Sequence, residues 1–158
     1  MLTKLFALTV LATTVIVANG AALVERSQPA ILQLAYDDGL CQANRSLNTV
    51  SCSTGENGLI TKGYTTFSTL PGYPALAGLP GVGFNSPNCG KCYEMWFSDT
   101  GRASQVTAVT SSAVDDQAIL CTTEFLALTG FTRDNVPANV TIELRPLPVE
   151  RCGFGAEA

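Results

Sequence analysis

Apolar and polar residues alternate most regularly in two stretches of the chain. Residues 104–109 set Val106 and Ala108 against Gln105 and Thr107, and residues 140–144 set Val140, Ile142 and Leu144 against Thr141 and Glu143. A period of two places one set on a buried face and the other in water, the mark of a half-buried strand. The β-branched side chains support strand in both, and residues 92–98, rich in aromatics, predict a third. Residues 36–53 carry isolated apolar positions (Leu40, Leu47, Val50) between polar clusters, which predicts a half-buried strand and a turn. Residues 54–90 are punctuated by Gly55, Gly58, Gly63, Pro71, Gly72, Pro74, Gly78, Pro80, Gly81, Gly83 and Pro87. Such density forbids a long helix and predicts loops between short strands.

The period changes once. Ala118, Cys121, Phe125 and Leu128 recur at helical spacing, with Ser111 or Ser112 placed to cap, Asp115 and Asp116 at the positive end of the dipole, and Gly130 to stop it. The pattern predicts a mostly-β (α+β) chain, a small barrel or sandwich with one substantial helix. Residues 23–35 show no usable period and read as a flexible N-terminus of the mature chain. The folded domain is expected over residues 36–158, without repeats.

Residues 1–22 have the form of a secretory signal peptide. Lys4 supplies the positive start, Leu5 to Ala18 an uncharged apolar run, and small residues follow, with cleavage after Gly20 or Ala22. The run is shorter than the ~20 apolar residues that a membrane span takes. A secreted chain with no membrane segment is therefore expected. Loss of Lys4 leaves eight basic and thirteen acidic side chains, so the mature product is acidic. That balance excludes nucleic acid as a partner, because phosphate binding needs clustered Lys and Arg.

The chain has no histidine and six cysteines. Without imidazole there is no Ser-His-Asp or Cys-His pair and no imidazole metal ligand. No metal or other cofactor is expected. In an oxidising compartment six cysteines favour three disulfides, with fifteen possible connectivities. Cys89-Gly90-Lys91-Cys92 matches redox spacing, but it follows a Gly/Pro loop and precedes a strand, not a helix, so two half-cystines with distant partners are the preferred reading. Hydrolysis would need two carboxyl groups about 5–9.5 Å apart. Glu94, Asp99, Asp115 and Asp116 are available, but none lies in an acid/base motif. Asn44-Arg45-Ser46 and Asn139-Val140-Thr141 are glycosylation sequons, the first in a turn-like segment and the second opening a strand.

Several strings together resemble the cerato-platanin family of small secreted fungal proteins. They are Tyr36-Asp37, Val50-Ser51-Cys52-Ser53-x-Gly55-x-Asn57-Gly58-Leu59, Leu70-Pro71-Gly72-Tyr73-Pro74, Gly83-Phe84-Asn85-Ser86-Pro87-Asn88-Cys89-Gly90-Lys91-Cys92, Leu128-Thr129-Gly130 and Cys152-Gly153. The resemblance implies a six-stranded double-ψ β-barrel with one substantial helix and short helical turns. It also implies the disulfides Cys52–Cys89 and Cys92–Cys152. Cys41 and Cys121 depart from the four-cysteine pattern, and a third bond between them is expected, tying the N-terminal strand to the helix.

Family members are non-enzymatic binders of N-acetylglucosamine oligomers from chitin and elicitors of plant defence, and some loosen cellulose. The resemblance therefore implies chitin-type oligomers, and also cellulose and host plant receptors, as partners of a secreted or wall-associated monomer. A shallow sugar groove needs aromatic faces and short amides or hydroxyls. Tyr36, Asp37, Asn57, Phe84, Asn85 and Ser86 offer that chemistry from the family-matching loops. Phe84 replaces the usual Trp, and Thr110 stands where the family strand commonly ends in Asp, which puts expansin-like activity in doubt. A hydrophobin-like surface film is the remaining alternative.

Overall fold

The computed structural model describes residues 28–155. The signal peptide expected at residues 1–22 lies outside them. Strands β3 (Cys92–Phe97) and β4 (Arg102–Ser111) form an antiparallel hairpin, with Cys92 opposite Thr107 and Phe97 opposite Arg102. Strand β6 (Thr141–Leu147) lies antiparallel on the other side of β3. These are the three segments read as strands from the sequence, and Met95, Val106, Ala108 and Ile142 are all buried in the core.

Three further strands close the barrel. β1 is Ala30–Tyr36, β2 is Leu76–Leu79 and β5 is Gln117–Leu120, and the order around the barrel is β1-β5-β2-β4-β3-β6. β1 is parallel to β5 and β2 is parallel to β4, so chain segments far apart in sequence interlock. The mostly-β six-stranded barrel expected from the sequence is the observed fold. β1, β3 and β5 run one way and β2, β4 and β6 the other. The end where β1, β3 and β5 finish is called here the upper end.

Three expectations are corrected. Residues 30–35 are not a flexible N-terminus: they form most of β1, with Leu32 and Leu34 inside and Ile31 and Gln33 outside. Only two inward apolar residues mark this strand locally, and pairing with β5 and β6 does the rest. The strand expected within residues 36–53 contains only Tyr36; Asp38–Cys41 and Leu47–Thr49 are 3-10 turns instead. Asp37 caps the first, accepting from the Gly39 N–H at 2.7 Å, and Ser46 caps the second, accepting from the Asn48 N–H at 3.2 Å.

The helix is also shorter than expected. Helix α1 spans Thr122–Thr129, and the residues before it belong to β5, where Ala118 and Leu120 are buried and Gln117 and Ile119 half-buried. Asp115 and Asp116 lie in the turn before β5, not at a helix start. Ala118 and Cys121 fit either period, and β5 wins because its backbone groups pair on both sides, with β1 and β2. Gly130 does end the helix, at φ 75° in the left-handed region that a side chain would strain.

Three disulfides brace this frame: Cys41–Cys121, Cys52–Cys89 and Cys92–Cys152. The first joins the turn after β1 to the start of α1 at the upper end. It does not tie the N-terminal strand itself, since Cys41 ends the 3-10 turn. The other two hold the loops of the lower end. Phe125 of α1 is fully buried over the upper mouth of the barrel, a burial contributing roughly 2 kcal/mol.

Candidate functional site

The six residues expected to meet sugar separate into two groups. Tyr36 and Asp37 leave β1 at the upper end, whereas Phe84, Asn85 and Ser86 follow β2, which runs the opposite way, and lie at the lower end with Asn57. One continuous subsite cannot use all six.

At the lower end the polar members are occupied in holding loops together. Asn85 accepts from the Asn57 backbone N–H through Oδ1 at 2.9 Å, and the Asn57 amide donates to the Asn85 carbonyl at 3.0 Å. Asn85 takes φ 55°, a conformation Asn tolerates better than most side chains. Ser86 Oγ donates to the Gly81 carbonyl at 3.0 Å and accepts from the Asn88 N–H at 3.2 Å. Phe84 alone is free, with 67% of its surface exposed.

Thr110 is likewise a brace. Its Oγ1 lies 3.1 Å from Ser51 Oγ and accepts from the Ser51 N–H at 3.3 Å. Ser51 Oγ in turn donates to the Val82 carbonyl at 2.8 Å and accepts from the Ser111 N–H at 2.8 Å. The Thr110 hydroxyl thus sits inside a hydrogen-bonded network at the lower end. The carboxylates considered for hydrolysis are placed no better. Glu94 faces Arg145 at 3.9 Å on the outer face of the barrel, and Arg145 also binds Glu143 at 2.6 Å. Asp99, Asp115 and Asp116 are exposed in turns.

The upper end carries an open groove. β1 pairs with β6 only from Ala30 to Gln33, and its last residues run on past the point where β6 begins at Thr141. The incoming segment Val136–Asn139 stands away from them, and the gap is a groove of about 370 Å³ lined by Gln33, Leu34, Tyr36, Gln117, Phe125 and Asn139 among others. Tyr36 packs on Phe125 with ring centroids 4.9 Å apart and keeps 39% of its surface exposed. A firmly seated ring beside three carboxamides can stack on an apolar ring face and exchange hydrogen bonds with amides and hydroxyls. Gln33 and Gln117 face each other across the β1–β5 pairing, and nothing local in the sequence marks them. A second recess of about 270 Å³, between β4 and α1, has no aromatic ring in its lining.

Next to Tyr36 the backbone is pinned twice. Asp37 caps its turn, so its carboxylate serves the fold. Asp38 makes a two-fold ion pair with Arg133, at 2.7 and 3.2 Å. The hydrogen bond from Arg133 holds the Asp38 carboxyl down at a pKa of about 2. Both sequon asparagines, Asn44 and Asn139, are exposed, Asn44 in a turn and Asn139 on the lip of the groove. Among the described residues no group of three or more acidic or cysteine side chains converges on a metal position.

These features define a class: a small six-stranded barrel, tied by disulfides and open along one strand to a shallow polar groove. The Cerato-platanin family profile matches residues 32–134. The chain belongs to the cerato-platanin family. Allergen Asp f 15 of Aspergillus fumigatus is 46% identical over 67 residues, which are 42% of this chain and 43% of that protein. The chain thus spans less than half the length of that curated relative. The crystal structure of cerato-platanin 3 from M. perniciosa superposes with a TM-score of 0.71 at 29% identity, covering 79% of this chain and all of that one. The solution structure of the fungal elicitor Cerato-Platanin gives a TM-score of 0.63 at 26% identity, covering 79% and 99%.

Proposed function

We propose that this chain is a secreted, non-hydrolytic binder of chitin-type N-acetylglucosamine oligomers, acting at the cell wall and perceived by plants as an elicitor. The elicitor part rests on likeness to the fungal elicitor Cerato-Platanin. The binding part rests on one observation: the half-exposed Tyr36 ring, backed by Phe125, in a groove lined by Gln33, Gln117 and Asn139. The ring offers its face to the apolar side of a pyranose, and the carboxamides donate to and accept from the acetamide and hydroxyls. Groove volume falls at the small end of the roughly 300–1,000 Å³ of ligand sites, which suits a short oligomer bound weakly. Hydrolysis has no support, because no carboxylate is among the groove's lining residues.

Calorimetric titration of the unglycosylated protein with chitotetraose and cellotetraose tests this. Saturable binding of the first, weakened about five- to tenfold by Tyr36→Ala, is the expected result, since an aromatic contact is worth about 1 kcal/mol. No saturation with chitotetraose, or release of reducing ends on incubation, refutes it.

A second reading has its own support. Ile31, Phe84 and Val114 are 62, 67 and 54% exposed and all belong to the lower half of the barrel. Three large apolar side chains in water suit a surface-active protein. Water contact angles on coated surfaces, compared with those of Phe84→Ser, test it.

A further inference from the structure

Asn139 is at once a groove residue and the first residue of the sequon Asn139-Val140-Thr141. It is exposed and lines the same groove as Tyr36, in the segment just before β6. An N-linked glycan begins with two β1,4-linked N-acetylglucosamine rings, the repeating unit of chitin itself. We propose that Asn139 is glycosylated in the secreted protein and that the first rings of its glycan lie in the groove against Tyr36, competing there with free oligomers and weakening their binding. The ligand chemistry assigned to the groove and the chemistry of its own modification are then the same, so the inference rests on the proposed function above.

Tethering makes the contact intramolecular. A short flexible tether gives an effective concentration of the order of millimolar, enough to compete with a free oligomer at a shallow, open site. Asn44 provides the contrast. Its sequon lies in the turn before Leu47–Thr49, and neither Asn44 nor its neighbours line the groove. A glycan there leaves the groove open.

The test uses full-length protein secreted from a glycosylating fungal host. Thr141→Val removes the sequon at an exposed position while keeping Asn139 and a β-branched strand residue, and Asn44→Gln removes the other. Peptide mass spectrometry is expected to find glycan on Asn139. Binding of chitotriose is expected to be at least tenfold tighter in Thr141→Val than in wild type, and unchanged in Asn44→Gln. In the glycosylated protein, NMR is expected to show a nuclear Overhauser contact between the acetamide methyl of the Asn139-linked sugar and the Tyr36 ring.

An unmodified Asn139 overturns the inference. So does equal, saturable binding by wild type and Thr141→Val, or a glycan without contact to Tyr36. If Thr141→Val fails to bind chitotriose, the proposed function fails, and the Tyr36 contact still decides for or against the seated glycan.

Discussion

Cutting the Cys41–Cys121 bond is expected to destabilise the protein by about 4 kcal/mol. The two residues are 80 apart in sequence. Closing a loop of that length in the unfolded chain corresponds to roughly 4.5 kcal/mol in the chain-entropy model. The loop is not free, however, because Cys52–Cys89 lies inside it and short-circuits part of its length. The path left, from Cys41 to Cys52 and from Cys89 to Cys121, is roughly 40–45 residues, and the same model gives about 4 kcal/mol. For a folded unit of this size that is a fall in Tm on the order of 12–20 °C.

The assay is urea and thermal unfolding of Cys41→Ala, Cys121→Ala and the double variant. Each single variant already opens the bond, so all three are expected to lose the same crosslink contribution. Cys121 is fully buried, and its substitution adds about 1 kcal/mol for the vacated volume. A loss of 1 kcal/mol or less in the double variant refutes the reasoning: packing of Phe125 and Tyr36 would then hold the upper end without the crosslink. Because the bond anchors the turn that follows Tyr36, the variants are also expected to bind chitin oligomers more weakly than their remaining stability explains.

Phe84→Ala is expected to leave chitotetraose binding within twofold of wild type, because the ring lies at the opposite end from Tyr36; a larger loss in calorimetry would move the site to the lower end. Thr110→Val leaves the Ser51 N–H without its acceptor, and chemical unfolding should show a loss of about 1–2 kcal/mol, with sugar binding unchanged. The Asp38 carboxyl titrates at about 2 in the folded protein, below its ordinary 3.8, so its ion pair stabilises the fold above pH 4 and that contribution disappears as pH falls towards 2. Unfolding midpoints of wild type and Arg133→Gln should therefore differ at pH 5 and by much less at pH 2; a constant difference would show that the pair does not titrate in this window.

How much of the molecule could be read from the chain depends on where each instruction is stored. β4 and β6 carry theirs locally, in alternating apolar residues and β-branched side chains, β3 carries its own in aromatic residues, and Gly130 carries the helix stop in its own backbone freedom. β1 and β5 do not. Leu32 and Leu34 alone are too sparse a pattern, and Gln117–Leu120 continues a helical stripe, so both become strands only when Gln33 meets Gln117 in the parallel β1–β5 pair. Propensity acts over neighbours, whereas a parallel pair is stabilised by hydrogen bonds between segments far apart in the chain.

The same distinction runs through the candidate site. The sequence by itself determined that chemistry with imidazole is absent, that the cysteines form structural bonds, and that aromatic and amide side chains cluster in the matching loops. Tertiary structure alone decided which of them line a groove. It spent Asn57, Asn85, Ser86 and Thr110 on bracing the lower loops, and it left Tyr36 over a groove with Gln33, Gln117 and Asn139. The physical reason is that a hydrogen-bonding side chain serves whichever partner the fold brings within 3 Å, and strand direction, which residue types do not encode, sets the end of the barrel at which each loop emerges.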